Sequence, residues 1–256
     1  MFTKITLENF RSFDHIELDL TEKGNTAKHL AILYGENGAG KSNLMSAFVL
    51  LPELTRTMDA RAAYERILAQ GAIFQDENME KEMREHIRQR LRDMSAIIKD
   101  YQMADCENPI IAEYEFNIDG NNGCYRVEFG QDEILHERLE FVLNRRRGLY
   151  FDCSATGINI NDSIIEKEQG KEFLTDVKEM AKRYWGKHSL LAILIYEMKD
   201  KSNSFGRDNI TENFNAVLNE FRNLSCTVSM GDKSWEGLYA QLKVLNQPLS
   251  GKISRK

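Results

Sequence analysis

The sequence predicts an α/β fold, with a β-rich N-terminal lobe, an antiparallel meander and a helical subdomain. Three observations predict it. Apolar and polar residues alternate with period two near the N-terminus and again between residues 112 and 129, the mark of half-buried strands. Apolar residues recur at helical spacing through the last third. Between those regions, a glycine-rich stretch ending in Gly40-Lys41-Ser42 stands between a continuous apolar run and an apolar-periodic segment.

Length and composition bound the reading. A chain of 256 residues with 42% hydrophobic and 29% charged residues can bury a core without a disulfide or metal staple. Thirty-four basic against forty acidic residues give a net charge of −6, which excludes a generic polycation that binds nucleic acid by bulk charge. Cys106, Cys124, Cys153 and Cys226 stand far apart with no CxxC pair, so neither a disulfide framework nor a zinc site is expected. The opening MFTKITLENFRSF has neither signal-peptide nor transit-peptide character. The longest nearly apolar run, Leu190 to Tyr196, falls short of the ~18 residues of a membrane span. The expectation is a cytoplasmic protein with no membrane partner.

The elements follow in order. Ile5 and Leu7, then Ile16, Leu18 and Leu20, alternate with polar residues and predict two strands around the turn Asn9 to Asp14. Leu30-Ala31-Ile32-Leu33-Tyr34 is continuously apolar and predicts a strand buried on both faces. A helix is expected from Lys41, with Leu44, Phe48 and Leu51 on one face. Residues 59–105 are highly charged, and Met83, Ile87, Leu91, Met94 and Ile98 predict one long amphipathic helix from Met79 to Met103. Ala112 to Ile118 and Tyr125 to Phe129 alternate about Asp119-Gly120-Asn121-Asn122-Gly123, a hairpin signal. Apolar pieces at 139–143 and 149–151 extend the meander. Phe173 to Tyr184 and Ile210 to Phe221 carry helical spacing. The domain plan is a β lobe of residues 1–58 and 106–160, a charged insertion of 59–105, and a helical subdomain with C-terminal tail over 161–256.

Gly35-Glu36-Asn37-Gly38-Ala39-Gly40-Lys41-Ser42 fits G-x-x-x-x-G-K-[ST], the phosphate-binding P-loop. Glycines let the chain fold into a nest whose N–H groups face phosphate oxygens. The following helix adds its positive N-terminal end. Lys41 is positioned to reach the β- and γ-phosphates, and the Ser42 hydroxyl to bind Mg²⁺. Nucleotide binding is the inference, with ATP and Mg²⁺ as cofactors and residues 35–43, Asn43 included, as the binding set.

Glu8-Asn9-Phe10-Arg11-Ser12-Phe13 followed by Ala31 to Leu44 resembles the opening of the RecF, SMC and OLD group of ATPases, which are ABC-type heads often grouped with AAA-family, RecF-like proteins. The match covers residues 2–50; the later pattern, including Trp185 to Leu191, is similar more loosely to bacterial defence ATPases of that group. The resemblance implies two heads that sandwich two ATP molecules, as a homodimer or a heteromer. It also implies that Arg11, after the first strand, lies near the phosphates. Partners implied in the same way are a second head, an effector protein and DNA.

The chain departs from that group after Ser42. A Walker B strand is four apolar residues followed by Asp-Glu, and the nearest approach is Ala192-Ile193-Leu194-Ile195-Tyr196-Glu197. There Tyr196 replaces the metal-binding Asp, and Ser189 reads as the N-cap of a helix. Glu197 is the one weak catalytic candidate. Pro248-Leu249-Ser250-Gly251-Lys252 echoes a signature motif, with a polar tail as the alternative, so the catalytic half of an ABC head is not visible. Gln70, Gln75, Gln102 and Gln131 are equivalent candidates for a Q-loop. His188 reads as a helix-junction residue, and Arg145-Arg146-Arg147, with Glu137 and Glu140 nearby, as a solvated loop. Two functions remain open: an ATPase head acting as an ATP-driven dimerisation switch, and a non-hydrolysing module that docks a partner supplying Walker B or an effector nuclease. A P-loop kinase or GTPase fits less well, given two strands before the loop and no NKxD-like motif.

Overall fold

The alternating segments form one seven-stranded antiparallel sheet: β1 (Phe2–Phe10), β2 (Phe13–Asp19), β3 (Ile110–Ile118), β4 (Asn121–Phe129), β5 (Ile134–Leu143), β6 (Arg146–Ser154) and β7 (Gly157–Ile160), in the order β2-β1-β3-β4-β5-β6-β7. The helices are α1 (Lys41–Leu54), α2 (Thr57–Gln70), α3 (Met94–Tyr101), α4 (Gly170–Tyr184), α5 (Leu190–Lys201), α6 (Phe205–Asn209) and α7 (Glu212–Arg222). This computed structural model describes residues 1–22, 26–70, 92–143, 146–168, 170–201 and 205–224. All of them belong to one compact unit, Met1–Leu224.

Alternation decides what each sheet face does. Ile5, Leu7, Ala112, Tyr114, Phe116, Tyr125, Val127, Leu139 and Phe141 are buried and belong to one hydrophobic core with Leu44, Ala47, Leu50, Leu51 and Leu54 of α1. Tyr114 is the tie between these layers: its hydroxyl donates to the Ala47 carbonyl at 2.7 Å. A buried phenol costs ~1–3 kcal/mol if left unpaired, so this bond fixes where α1 lies on the sheet. The alternate residues carry charge, and Arg126 with Glu113, and Arg138 with Glu140 and Asp152, pair among themselves.

The β3–β4 hairpin is tighter than its five-residue signal. Ile118 pairs with Asn121, leaving Asp119 and Gly120 as the loop at φ 51° and 78°, the positive angles a two-residue hairpin requires. Asn122-Gly123 is strand instead. Gly123 is set there by packing, because a Cβ would meet the Phe116 ring at 2.3 Å.

Three expectations are corrected. Leu30 to Tyr34 does not form a strand; Leu30, Ile32 and Tyr34 are 76%, 74% and 93% exposed, and no described residue pairs with this main chain. Its apolar sequence calls for neighbours on both sides, and the antiparallel sheet supplies none. The single helix from Met79 to Met103 is also interrupted. Arg92 takes a left-handed φ of 43°, and Asp93 then caps α3 by accepting the Ala96 N–H at 2.9 Å; residues 71–91 lie outside the described residues. Finally, Arg146 and Arg147 open strand β6 rather than lying in a loop, because Glu140 across the ladder accepts from Arg147 Nε at 2.9 Å. The C-terminal helices fall where the spacing put them, with Phe173, Val177 and Ala181 buried on α4 and Phe214, Val217, Leu218 and Phe221 on α7.

Candidate functional site

The glycine-rich segment forms a turn that opens α1. Gly38 and Gly40 sit at φ 89° and 83°, angles that L side chains adopt only with strain. Gly40 is the N-cap of α1 and has no side chain to cap with, and the first turn carries no acidic residue. The orphan N–H groups of the first turn are thereby left to an anion. The Lys41 ammonium folds back along the loop, donating to the Gly35 carbonyl at 2.7 Å and the Glu36 carbonyl at 2.6 Å. Ser42 is exposed at the second position of the helix.

The β1–β2 hairpin closes one side of this turn. Phe10 pairs with Phe13, so Arg11 and Ser12 are its two loop residues, and Arg11 takes a left-handed φ of 52°. The Arg11 N–H donates to the Tyr101 carbonyl at 2.8 Å, and its guanidinium lies 4.9 Å from the Tyr101 ring centroid. Its Nε is buried with no hydrogen-bond partner among the described residues. Ser12 and Phe13 meet the loop itself. The Ser12 hydroxyl accepts from Asn43 Nδ2 at 2.8 Å, and a Cβ on Gly40 would stand 2.7 Å from Phe13 Cζ.

A half-buried polar chain backs the helix. Tyr101 donates its hydroxyl to Glu53 Oε2 at 2.9 Å, and Arg92 pairs with Glu53 Oε1 at 2.7 Å. Burial raises the Glu53 carboxyl above its ordinary range even against the Arg92 charge. Since Glu53 belongs to α1 and Tyr101 holds Arg11, the two ends of α1 are tied to the same hairpin turn.

The remaining candidates fall elsewhere. Ala192 to Glu197 belongs to helix α5, whose start is capped by Ser189: its hydroxyl accepts the Ala192 N–H at 3.0 Å. Glu197 is 9% exposed on that helix, its carboxyl raised by burial and then by Asp200 and Asp176; it does not end a strand. His188 is a buried junction residue whose imidazole is pushed down to about 4, mainly by burial. Gln70 lies in α2, Gln102 follows α3 and Gln131 lies between β4 and β5; Gln75 and the Pro248–Lys252 segment lie outside the described residues. Sequence reasoning assigns no role to Ser12 or Phe13, and it reads Glu137 only as an acidic neighbour of a solvated Arg145–Arg147 loop, whereas Glu137 is fully buried. The first two carry no local signal, because their partners are 27 to 31 positions away along the chain. Glu137 carried one: it falls on the apolar phase of β5, two residues before Leu139.

Compared with known families, residues 1–223 match the one described as AAA ATPase domain. No curated protein matches the chain. Among the described residues, no helix is long and apolar enough to cross a membrane.

Proposed function

The chain belongs to the AAA ATPase domain family, and from that premise we propose that residues 35–43 bind ATP with Mg²⁺ and that the protein works as a RecF-like, ABC-type head. In this reading two heads close on nucleotide, as an ATP-driven dimerisation switch in a DNA-associated or phage-defence system. The observation that carries the reading is the start of α1. A left-handed glycine, an uncapped helix N-terminus and Lys41 beside the loop meet where the sequence motif asks for a phosphate.

The residues fit the group they would hold. Main-chain N–H groups of Gly38 and of 40–42 would hold the phosphates, and Lys41 would exchange two loop carbonyls for β- and γ-phosphate oxygens. The Ser42 hydroxyl is the ligand this chain offers to Mg²⁺, which when bound neutralises the charge developing on the transferred phosphoryl group. Arg11, one residue from Ser12, is proposed to face the nucleotide from the hairpin side, with Tyr101 holding its guanidinium.

A second reading is favoured by one specific observation, the exposure of Leu30, Ile32 and Tyr34 directly before the loop. A continuously apolar strand is at home in a parallel sheet covered on both faces. In this reading the chain binds nucleotide without turning it over, and a partner that covers 30–34 brings the Walker B carboxylates. Steady-state phosphate release at saturating Mg-ATP separates the two, with Lys41→Ala as the blank. Turnover by the chain alone at ~1 s⁻¹ or faster, the ordinary enzyme range, supports the complete head and makes Glu197→Gln the next variant. Binding without release supports the module.

A further inference from the structure

We propose that Ser12 is a positioning residue for the nucleotide, and that the Phe10–Phe13 hairpin turn is the wall against which the phosphate loop is set. The inference rests on the reading of residues 35–43 as the nucleotide site and goes beyond it, since Ser12 lies on a different element.

Two contacts join the turn to the loop, and each acts on a different feature of it. Asn43 Nδ2 donates to the Ser12 hydroxyl at 2.8 Å. Asn43 is the third residue of α1, the position from which a polar side chain ordinarily turns back to cap the helix's own N-terminus. Held outward by Ser12, it leaves the first N–H groups of α1 to an incoming phosphate. The Phe13 ring packs on the Gly40 Cα, where a Cβ would come within 2.7 Å of Cζ and 2.9 Å of Cε1. That contact sets the loop's last residue at the angle from which Lys41 and Ser42 project.

The wall is itself fixed. Arg11 holds a left-handed φ of 52° in a hairpin loop, a conformation that persists in a non-glycine residue only where the surroundings determine it. Here the Tyr101 carbonyl takes its N–H at 2.8 Å, and Phe10 stacks on the Tyr101 ring with centroids 5.2 Å apart. Tyr101 reaches α1 again through Glu53. A hairpin tied to both ends of the helix cannot shift without moving the loop at the helix start. Ser12 is exposed, so its replacement removes the tether without opening the core.

The test is a double-mutant cycle on the full chain, with Ser12→Ala, Asn43→Ala and the double variant, read by calorimetric titration with Mg-ATP beside thermal melting without nucleotide. Each single change is expected to weaken Mg-ATP about two- to tenfold, the worth of one neutral hydrogen bond. The double variant is expected to bind no worse than the weaker single, as two groups acting through one contact do. Ser12→Thr, which keeps the acceptor, restores affinity, and none of the melting temperatures moves with the affinities. Lys41→Ala runs in parallel. If it weakens binding while the Ser12 and Asn43 variants leave affinity unchanged or act additively, the positioning role is overturned and the site reading stands. If Lys41→Ala binds Mg-ATP like the natural chain, the site reading fails and the proposal with it.

Discussion

Glu137 Oε2 accepts the indole N–H of Trp185 at 3.0 Å, joining strand β5 to the chain between α4 and α5. The same oxygen takes the Leu190 N–H at 2.7 Å, and Oε1 takes the Tyr125 hydroxyl at 3.0 Å. The carboxyl is fully buried, and no cation pairs with it among the described residues. Burial pushes its pKa up to about 7 against these three donors. Ser189, beside it, donates to the Leu54 carbonyl at 2.7 Å, so the node links the sheet, the end of α1 and the start of α5.

That node predicts a pH dependence with a definite sign. A carboxyl whose pKa is about 7 when folded and 4.5 when unfolded keeps its proton in the folded chain after the unfolded chain has lost it. Its contribution to stability is therefore whole below pH 4.5, declines as pH rises toward 7 and levels off above. At ~1.4 kcal/mol per unit the decline is on the order of 3 kcal/mol. Glu137→Gln should flatten this slope in melting curves recorded from pH 4.5 to 7.5. It should also remove the matching change in tryptophan emission; an unaltered slope would assign the titration to another group.

The two left-handed glycines of the loop should differ in what they tolerate. A Cβ on Gly38 meets nothing within 4 Å, whereas one on Gly40 runs into Phe13. Gly38→Ala should cost only backbone strain, ~1 kcal/mol. Gly40→Ala adds the collision and should lose ~1–3 kcal/mol or more along with most nucleotide affinity. Equal melting temperatures for the two variants would contradict the packing of the hairpin on the loop.

The exposed run before the loop gives a further expectation. Ile32→Asn should leave the melting temperature of this chain nearly unchanged, within the ~0.5 kcal/mol of ordinary surface changes. Leu51→Ala, on the buried face of α1, should cost ~2–5 kcal/mol. A large loss for Ile32→Asn would mean that residues 30–34 are covered within the chain itself.

Much of this was legible in the sequence, and the failures share a physical cause. Period-two alternation located β1, β3 and β4, and the Asp-Gly and Asn-Gly signal placed the β3–β4 turn within five residues, because strand faces and short loops are set by neighbours close in sequence. The motif at 35–42 was legible for the same reason: glycine and the helix start are local demands. What could not be read depends on distant partners. Leu30 to Tyr34 has strand composition but no flanking strand among the described residues, and Arg92-Asp93 breaks a periodicity that the apolar pattern carries straight through. The contacts of Phe13 with Gly40 and of Ser12 with Asn43 arise only once the hairpin has folded over the loop. Glu137 shows the intermediate case, a charge on an apolar phase that betrays its burial but not its three donors.

Lys41 is the residue on which nucleotide binding at residues 35–43 most directly depends. Its ammonium lies on the Gly35 and Glu36 carbonyls, which the proposed function has phosphate oxygens replace. Calorimetric titration of the full chain with Mg-ATP, set against Lys41→Ala, measures that exchange. The natural chain should bind, and the variant should bind roughly ten- to a hundredfold more weakly, as expected for losing charge-assisted contacts worth ~1.5–3 kcal/mol. Equal affinity in the two proteins, or no binding by the natural chain, would contradict a nucleotide site at residues 35–43.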